Sequence, residues 1–127
     1  YRGSNEGAIA GLYLGVGLAD KGDLKGAEKQ FQDVVDSAPA DMASVATMAL
    51  AQTLDADGKG ADAEKLLKNL SEHPTALVSK EQALLELGSM VGKRNKAEGE
   101  KILSGLSNSR AAVAQSVVSA LGALTNN

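Results

Sequence analysis

Cysteine and tryptophan are both missing from this chain. Without cysteine there can be no disulfide, no thiolate metal ligand and no cysteine nucleophile. The lack leaves the compartment open, since it suits an envelope protein as well as a cytosolic one. Aromatic residues are nearly missing too, with only Tyr1, Tyr13 and Phe31 present. Alanine occurs 21 times instead. Small side chains let helices approach closely but supply little apolar volume, so stability should be modest. An excess of positive charge is also lacking: 13 basic residues face 16 acidic ones, for a net charge of -3. Nucleic-acid binders need a cationic footprint, so the acidic balance argues against that class. The longest basic run, Lys93-Arg94-Asn95-Lys96, falls where a turn is expected and reads as a solvated loop.

No apolar run is long enough for a membrane. Gly7 to Ala19 spans 13 residues, against about 20 for a spanning helix. Ala111 to Leu124 is interrupted by Gln115, Ser116 and Ser119. Both segments read as packed helices. Tyr1 is not a natural translation start, so the chain is expected to be a fragment or a processed product. Its 127 residues fit one domain. A domain of that size buries roughly two-thirds of the surface of its unfolded chain, enough for a core without metals.

An internal repeat sets the architecture. One block carries Leu14-Gly15, Leu18, Gly22, Ala27, Phe31 and Pro39. The next carries Leu50-Ala51, Leu54, Gly58, Ala63, Leu67 and Pro74. Gly22 to Gly58, Ala27 to Ala63 and Phe31 to Leu67 are each 36 residues apart. A third block carries Leu87-Gly88, Val91, Gly99 and Leu103. Its second half keeps the offset of 36, but Ala51 to Gly88 is 37. That slip predicts a turn one residue shorter around Asn95. The blocks run over about 8–40, 44–75 and 81–107.

Each block reads as two helices. Apolar residues recur from Ala8 to Ala19, and Lys21-Gly22-Asp23 then breaks the pattern. Gly22 suits a left-handed position after a helix, and Asp23 suits the next N-cap. Ala27, Phe31, Val34 and Val35 form a second stripe at helical spacing. Proline disfavours helix in the residue before it, so Ala38-Pro39 ends this element. Asp57-Gly58-Lys59 and His73-Pro74 repeat the logic. The predicted helices are 5–20, 24–37, 41–56, 60–72, 76–92, 96–106 and 110–124. The last, with Val113, Val117, Leu121 and Leu124 on one face, would close the stack by covering the final pair. No segment alternates with period two, so no strand is expected. Gly15, Ala51 and Gly88 on the first helices oppose Ala27, Ala63 and Gly99 on the second. The series Gly7, Gly11, Gly15 reads as close helix packing rather than a phosphate loop, since no strand precedes it.

These spacings resemble the tetratricopeptide repeat. Its pattern is Leu-Gly, an aromatic, then Ala, a second aromatic four residues later, and Pro. Leu14-Gly15, Leu18, Ala27, Phe31 and Pro39 match with one aliphatic substitution. Leu50-Ala51, Leu54, Ala63, Leu67 and Pro74 match less fully, and the third block is degenerate. The resemblance covers about residues 8 to 106. The departures are a period of 36 rather than 34, Gly11, Thr47 and Leu84 in place of the early tryptophan, and the shortage of aromatics. The resemblance implies an all-α right-handed superhelix of antiparallel helix pairs, about seven helices in all, that binds other proteins. More narrowly, the Ala-rich blocks and Asp57-Gly58-Lys59 are similar to repeat domains of membrane-anchored bacterial envelope proteins. The ancillary subunit of the protein-export translocon is one of these. That likeness implies a place on the periplasmic side of the envelope and a membrane helix upstream of this chain.

Catalytic chemistry finds few candidates. His73 is the only histidine and precedes Pro74 in a turn. A catalytic or metal histidine needs convergent partners, and none can be assigned. Asp33 with Asp36, and Asp55 with Asp57, lie on polar faces or at turns. No enzyme activity, cofactor or metal is expected.

The surface expected to work is the concave one. At 100° per residue, Leu14, Gly15 and Leu18 define the face of the first helix that meets its pair partner. Ile9, Leu12 and Val16 fall opposite. The equivalent set is Val45, Met48, Gln52 and Asp55 in the second block, and Gln82, Leu85 and Ser89 in the third. In a tetratricopeptide superhelix these faces line the concave groove, here largely apolar, which suits a helix or an extended peptide. Equally, Ile9, Leu12 and Val16 could be core, covered by the closing helix, by an upstream helix or by a second copy in a homodimer. The lysines and asparagines that clamp a C-terminal carboxylate in chaperone-binding members are not at these positions.

Overall fold

A computed structural model describes residues 4–125. Among these residues the chain forms six α-helices and no strand: α1 (Asn5–Asp20), α2 (Leu24–Ser37), α3 (Ala40–Ala56), α4 (Gly60–Glu72), α5 (Lys80–Gly92) and α6 (Lys96–Thr125). Each helix packs on the next in sequence, and α1 also reaches α3. The result is an all-α solenoid of helix pairs.

The inner turns follow from local chemistry. Gly22 and Gly58 adopt positive φ, at 85° and 80°, which glycine does without a Cβ penalty. Asp23 N and Lys59 N then reach back five residues, to the carbonyls of Leu18 and Leu54. In the third block Asn95 N reaches back only four, to Val91 O. That is the one residue by which the third inner turn is shorter than the first two. Helix starts are capped by Ser4, which accepts from Gly7 N, and by Asp23, which accepts from Gly26 N. Asn95 Oδ1 accepts from Glu98 N in the same way.

Two boundaries differ from expectation. The predicted start of the fifth helix at residue 76 moves to Lys80. Ser79 and Gln82 make a reciprocal capping box there. Thr75 and Val78 close a turn upstream of it, and Val78 is buried as a plug. The second difference is larger. Segments 96–106 and 110–124 form one continuous helix, so the seven predicted helices become six. Ser107-Asn108-Ser109 contains weak helix formers, at about half a kcal/mol each, but no glycine or proline to break the element. The closing helix is therefore the second half of α6, and Leu121 on it is exposed rather than laid over the last pair. The side chains of Val113, Val117 and Leu124 lie outside the described residues.

The core is built on small residues. Ala27 and Ala63 are completely buried, and Phe31 and Leu67 are the largest side chains enclosed. A Cβ on Gly11 would sit 2.6 Å from Val34 Cγ2, and one on Gly15 would strike the Phe31 ring. The glycine series of α1 is thus a close-packing seam against α2. Leu14, expected in that seam, is exposed. The buried stripe runs through Ala8, Gly11 and Gly15, which leaves Leu14 on its flank. The buried hydroxyls of Ser44, Thr53 and Ser71 all donate to carbonyls one helical turn back, so none costs an unmade bond.

Candidate protein-binding groove

The ten residues of the expected concave row divide into three kinds. Ile9, Val16 and Leu85 are apolar and about half exposed, at 45%, 49% and 48%. Leu12, Val45 and Met48 are half buried. Leu12 bridges the cluster of Ala8, Val34 and Ala46 to that of Ala27, Phe31 and Leu50. Val45 and Met48 rest against the cluster formed by α4 and α5. The polar members are Gln52, Asp55, Gln82 and Ser89.

Val16 and Gln52 come together. Both line a groove of about 340 Å3, with Ala49 and Thr53 beside them and Phe31 at its floor. Two polar members already have structural work. Gln82 Oε1 accepts from Ser79 N at 2.8 Å in the α5 capping box. Asp55 Oδ2 accepts from Lys93 Nζ at 3.1 Å. Each keeps a second polar atom, Gln82 Nε2 and Asp55 Oδ1, outside that bond. Ser89 and Leu85 are exposed on α5, and Ile9 is exposed on α1.

Charges expected to be solvated instead stitch the inner turns together. Lys25 reaches Asp57 at 3.3 Å, and Lys59 reaches Glu28 at 3.1 Å and Asp57 at 3.5 Å. Lys93 pairs with Asp55, and Arg94 with Glu64. The basic run at 93–96 is thereby partly consumed by the neighbouring block. Hydrogen bonding with Glu28, and then with Lys25, holds the Asp57 carboxyl below its usual value. The hydrogen bond to Glu28 raises Lys59 against the opposing effect of desolvation. An Asp-Gly-Lys turn facing a Lys and a Glu one block earlier was the available sequence signal.

Two further grooves lie along the second helices of the pairs, where the periodicity did not point. One, of about 640 Å3, lies between α2 and α4 over Leu50 and Leu54. The other, of about 550 Å3, lies between α4 and α6 over Leu84, Leu87 and Val91. His73 is exposed, with Nδ1 3.0 Å from Asn69 O. Among the described residues no group of three His, Cys, Asp or Glu could hold a metal. No described helix is long and apolar enough to cross a membrane.

A family model for a tetratricopeptide repeat-like domain matches residues 1–98. The chain belongs to this family. The match takes in all of α1 to α5 and ends in the first turn of α6. Tetratricopeptide repeat-like domains typically mediate protein interactions and are non-catalytic. Neither the curated proteins nor the solved structures give a match to this chain.

Proposed function

We propose that this tetratricopeptide repeat-like domain is a non-catalytic module that grips a peptide or helix along the first helices of its pairs. The observation that carries the reading is the exposure of that row. Ile9, Val16 and Leu85 each leave about half their surface in water, while the same helices, α1 and α5, bury Ala8 and Leu87 on other faces. A stripe of half-exposed aliphatics on packed helices is a poor surface unless something covers it. Met48 beside them has an unbranched chain that can repack around more than one ligand. The Ala-rich blocks support a setting on the periplasmic side of a bacterial envelope, tethered by a membrane segment outside this chain.

A displayed peptide library selected against the domain tests the groove. The selected peptides should carry apolar anchors at helical or alternate spacing. They should lose binding to the Val16→Glu and Leu85→Glu variants and keep it with Lys29→Glu on α2, the second helix of the first pair. Peptides that ignore the first two substitutions would move the binding surface elsewhere. Fractionation of cells expressing the natural full-length protein decides the envelope setting.

A further inference from the structure

We infer that the chain pairs with a second copy of itself by exchanging the C-terminal half of α6, each copy seating it in the other's groove between α4 and α6. This goes beyond the peptide-binding reading and uses none of the concave row.

The starting point is a mismatch in length. α5 has 13 residues and α6 has 30. Gly99 lies against Gly92, and Leu103 lies 2.8 Å from a Cβ built on Gly88. The two helices are therefore antiparallel, and each step back along α5 is matched by a step forward along α6. Lys80, the first residue of α5, falls opposite about residue 111 in this register. Among the described residues, the main packing partner of α6 is α5. Its remaining turns, roughly 21 Å at 1.5 Å per residue, run past the end of the solenoid.

This overhang has the wrong chemistry for a solvated helix. No charged residue follows Arg110. Val118 and Leu121, one turn apart, are 61% and 57% exposed. Exposed helices carry a polar or charged outer face, and one that does not has a surface to bury. It is also too short and polar to span a membrane.

The complementary surface is on the same molecule. The groove between α4 and α6 has an apolar floor of Leu84, Leu87, Val91 and Ile102, flanked by charged side chains that include Glu64, Lys68 and Glu98. α4, its far wall, is 13 residues long, or roughly 20 Å, room for about three and a half helical turns. An uncharged helix can enter without burying a charge of its own. The overhang cannot reach this groove in its own chain, because the first half of α6 is the near wall and the two halves are collinear. A second copy removes the conflict. Antiparallel pairing of the two α6 helices about a twofold axis near residue 111 lays each overhang beside the other's first half. Both grooves fill at once. Such an interface is closed and self-complementary. Seating two helices rather than one doubles the contact, and stable protein pairs bury ~1,200–2,000 Å2 in all.

Light scattering and sedimentation of the 127-residue chain give the first test. The expected mass is twice the 12.9 kDa of one chain. Val118→Glu with Leu121→Glu changes only exposed side chains, so it should yield a monomer with unchanged helix content. The absence of cysteine permits a second test. Lys68→Cys on the groove wall and Ser119→Cys on the overhang should cross-link through a short bis-maleimide only when the two variants are mixed. A monomer at all concentrations would overturn the exchange and leave the overhang to a following segment or another protein. A dimer that survives the glutamates overturns it as well. Cross-linking of Ser119→Cys to itself, or no linking in the mixture, would show overhangs paired outside the groove.

Discussion

Gly99 packs backbone to backbone against Gly92, where α6 leaves the last inner turn and passes beneath α5. A Cβ built on Gly99 would collide with the Gly92 main chain and lie 2.8 Å from Gly88 O. Main-chain atoms cannot swing aside as a side chain can. Gly99→Ala should therefore separate the two helices and cost about 1–3 kcal/mol or more. The reverse change behaves differently. A Cβ on Gly92 would meet Gly99 Cα at 3.8 Å, an ordinary contact. Gly92→Ala should be neutral or stabilising by up to about 1 kcal/mol, from helix propensity. Urea midpoints of the two variants give opposite signs if this contact sets the spacing of α5 and α6.

Ala63 makes the same argument for α3 and α4. It is fully buried, and Ala61 two residues earlier is exposed. Ala63→Leu should overpack the pair and cost about 1–3 kcal/mol, while Ala61→Leu stays within about 0.5 kcal/mol of the parent. Equal urea midpoints would mean that Ala63 has room that the structure denies it.

The 36-residue offset and the glycine turns were enough to place the first four helices, because inner turns and prolines are punctuated by residue type. The fifth helix starts later than expected because Ser79 and Gln82 form a reciprocal capping box that begins it at Lys80, four residues on from the expected start. Leu14 was misplaced because its Leu-Gly motif suggests that both residues are inward, whereas a seam of Ala8, Gly11 and Gly15 turns Leu14 outward. The unbroken α6 was hidden because Ser107-Asn108-Ser109 looks like a turn but contains no residue that forbids a helix. The inter-turn ion pairs and the grooves along the second helices depend on how one block stacks on the next. No single-block pattern carries that information. The 100° spacing picked out a face on which Ile9, Val16 and Leu85 are about half exposed, but not that Leu12, Val45 and Met48 on it rest against core clusters. That Asp55 and Gln82 are held by Lys93 and Ser79 was not.

Met48 and Val16 separate a groove from a core. Met48 is half buried against the cluster of α4 and α5, so Met48→Glu should desolvate a carboxylate and cost on the order of 2 kcal/mol. Val16 is about half exposed, and Val16→Glu should stay within about 0.5 kcal/mol of the parent. Thermal melts of the two variants measure this directly. A Val16→Glu protein that unfolds with Met48→Glu would make the whole row core and remove it as a docking surface.

Asp57 tests whether the charged turns couple one block to the next. It faces Lys25 from the first block and Lys59 from its own turn, and its carboxyl is held below the ordinary 3.8. A depressed folded value means that the ionised form is favoured by folding. Its stabilisation is thus present above the unfolded value and fades as pH falls through the lower folded value. Asp57→Asn should lower the thermal midpoint slightly at neutral pH and low salt. The gap between variant and parent should close as the pH drops below 3.8, because the parent then loses the same charge. It should also close in about 1 M salt, where the Debye length falls to about 3 Å and exposed pairs are screened. The deficit of Ala63→Leu, which is steric, should persist under both conditions. A deficit of Asp57→Asn that survives them would make Asp57 a packing residue of the turn and leave the blocks coupled by their cores alone.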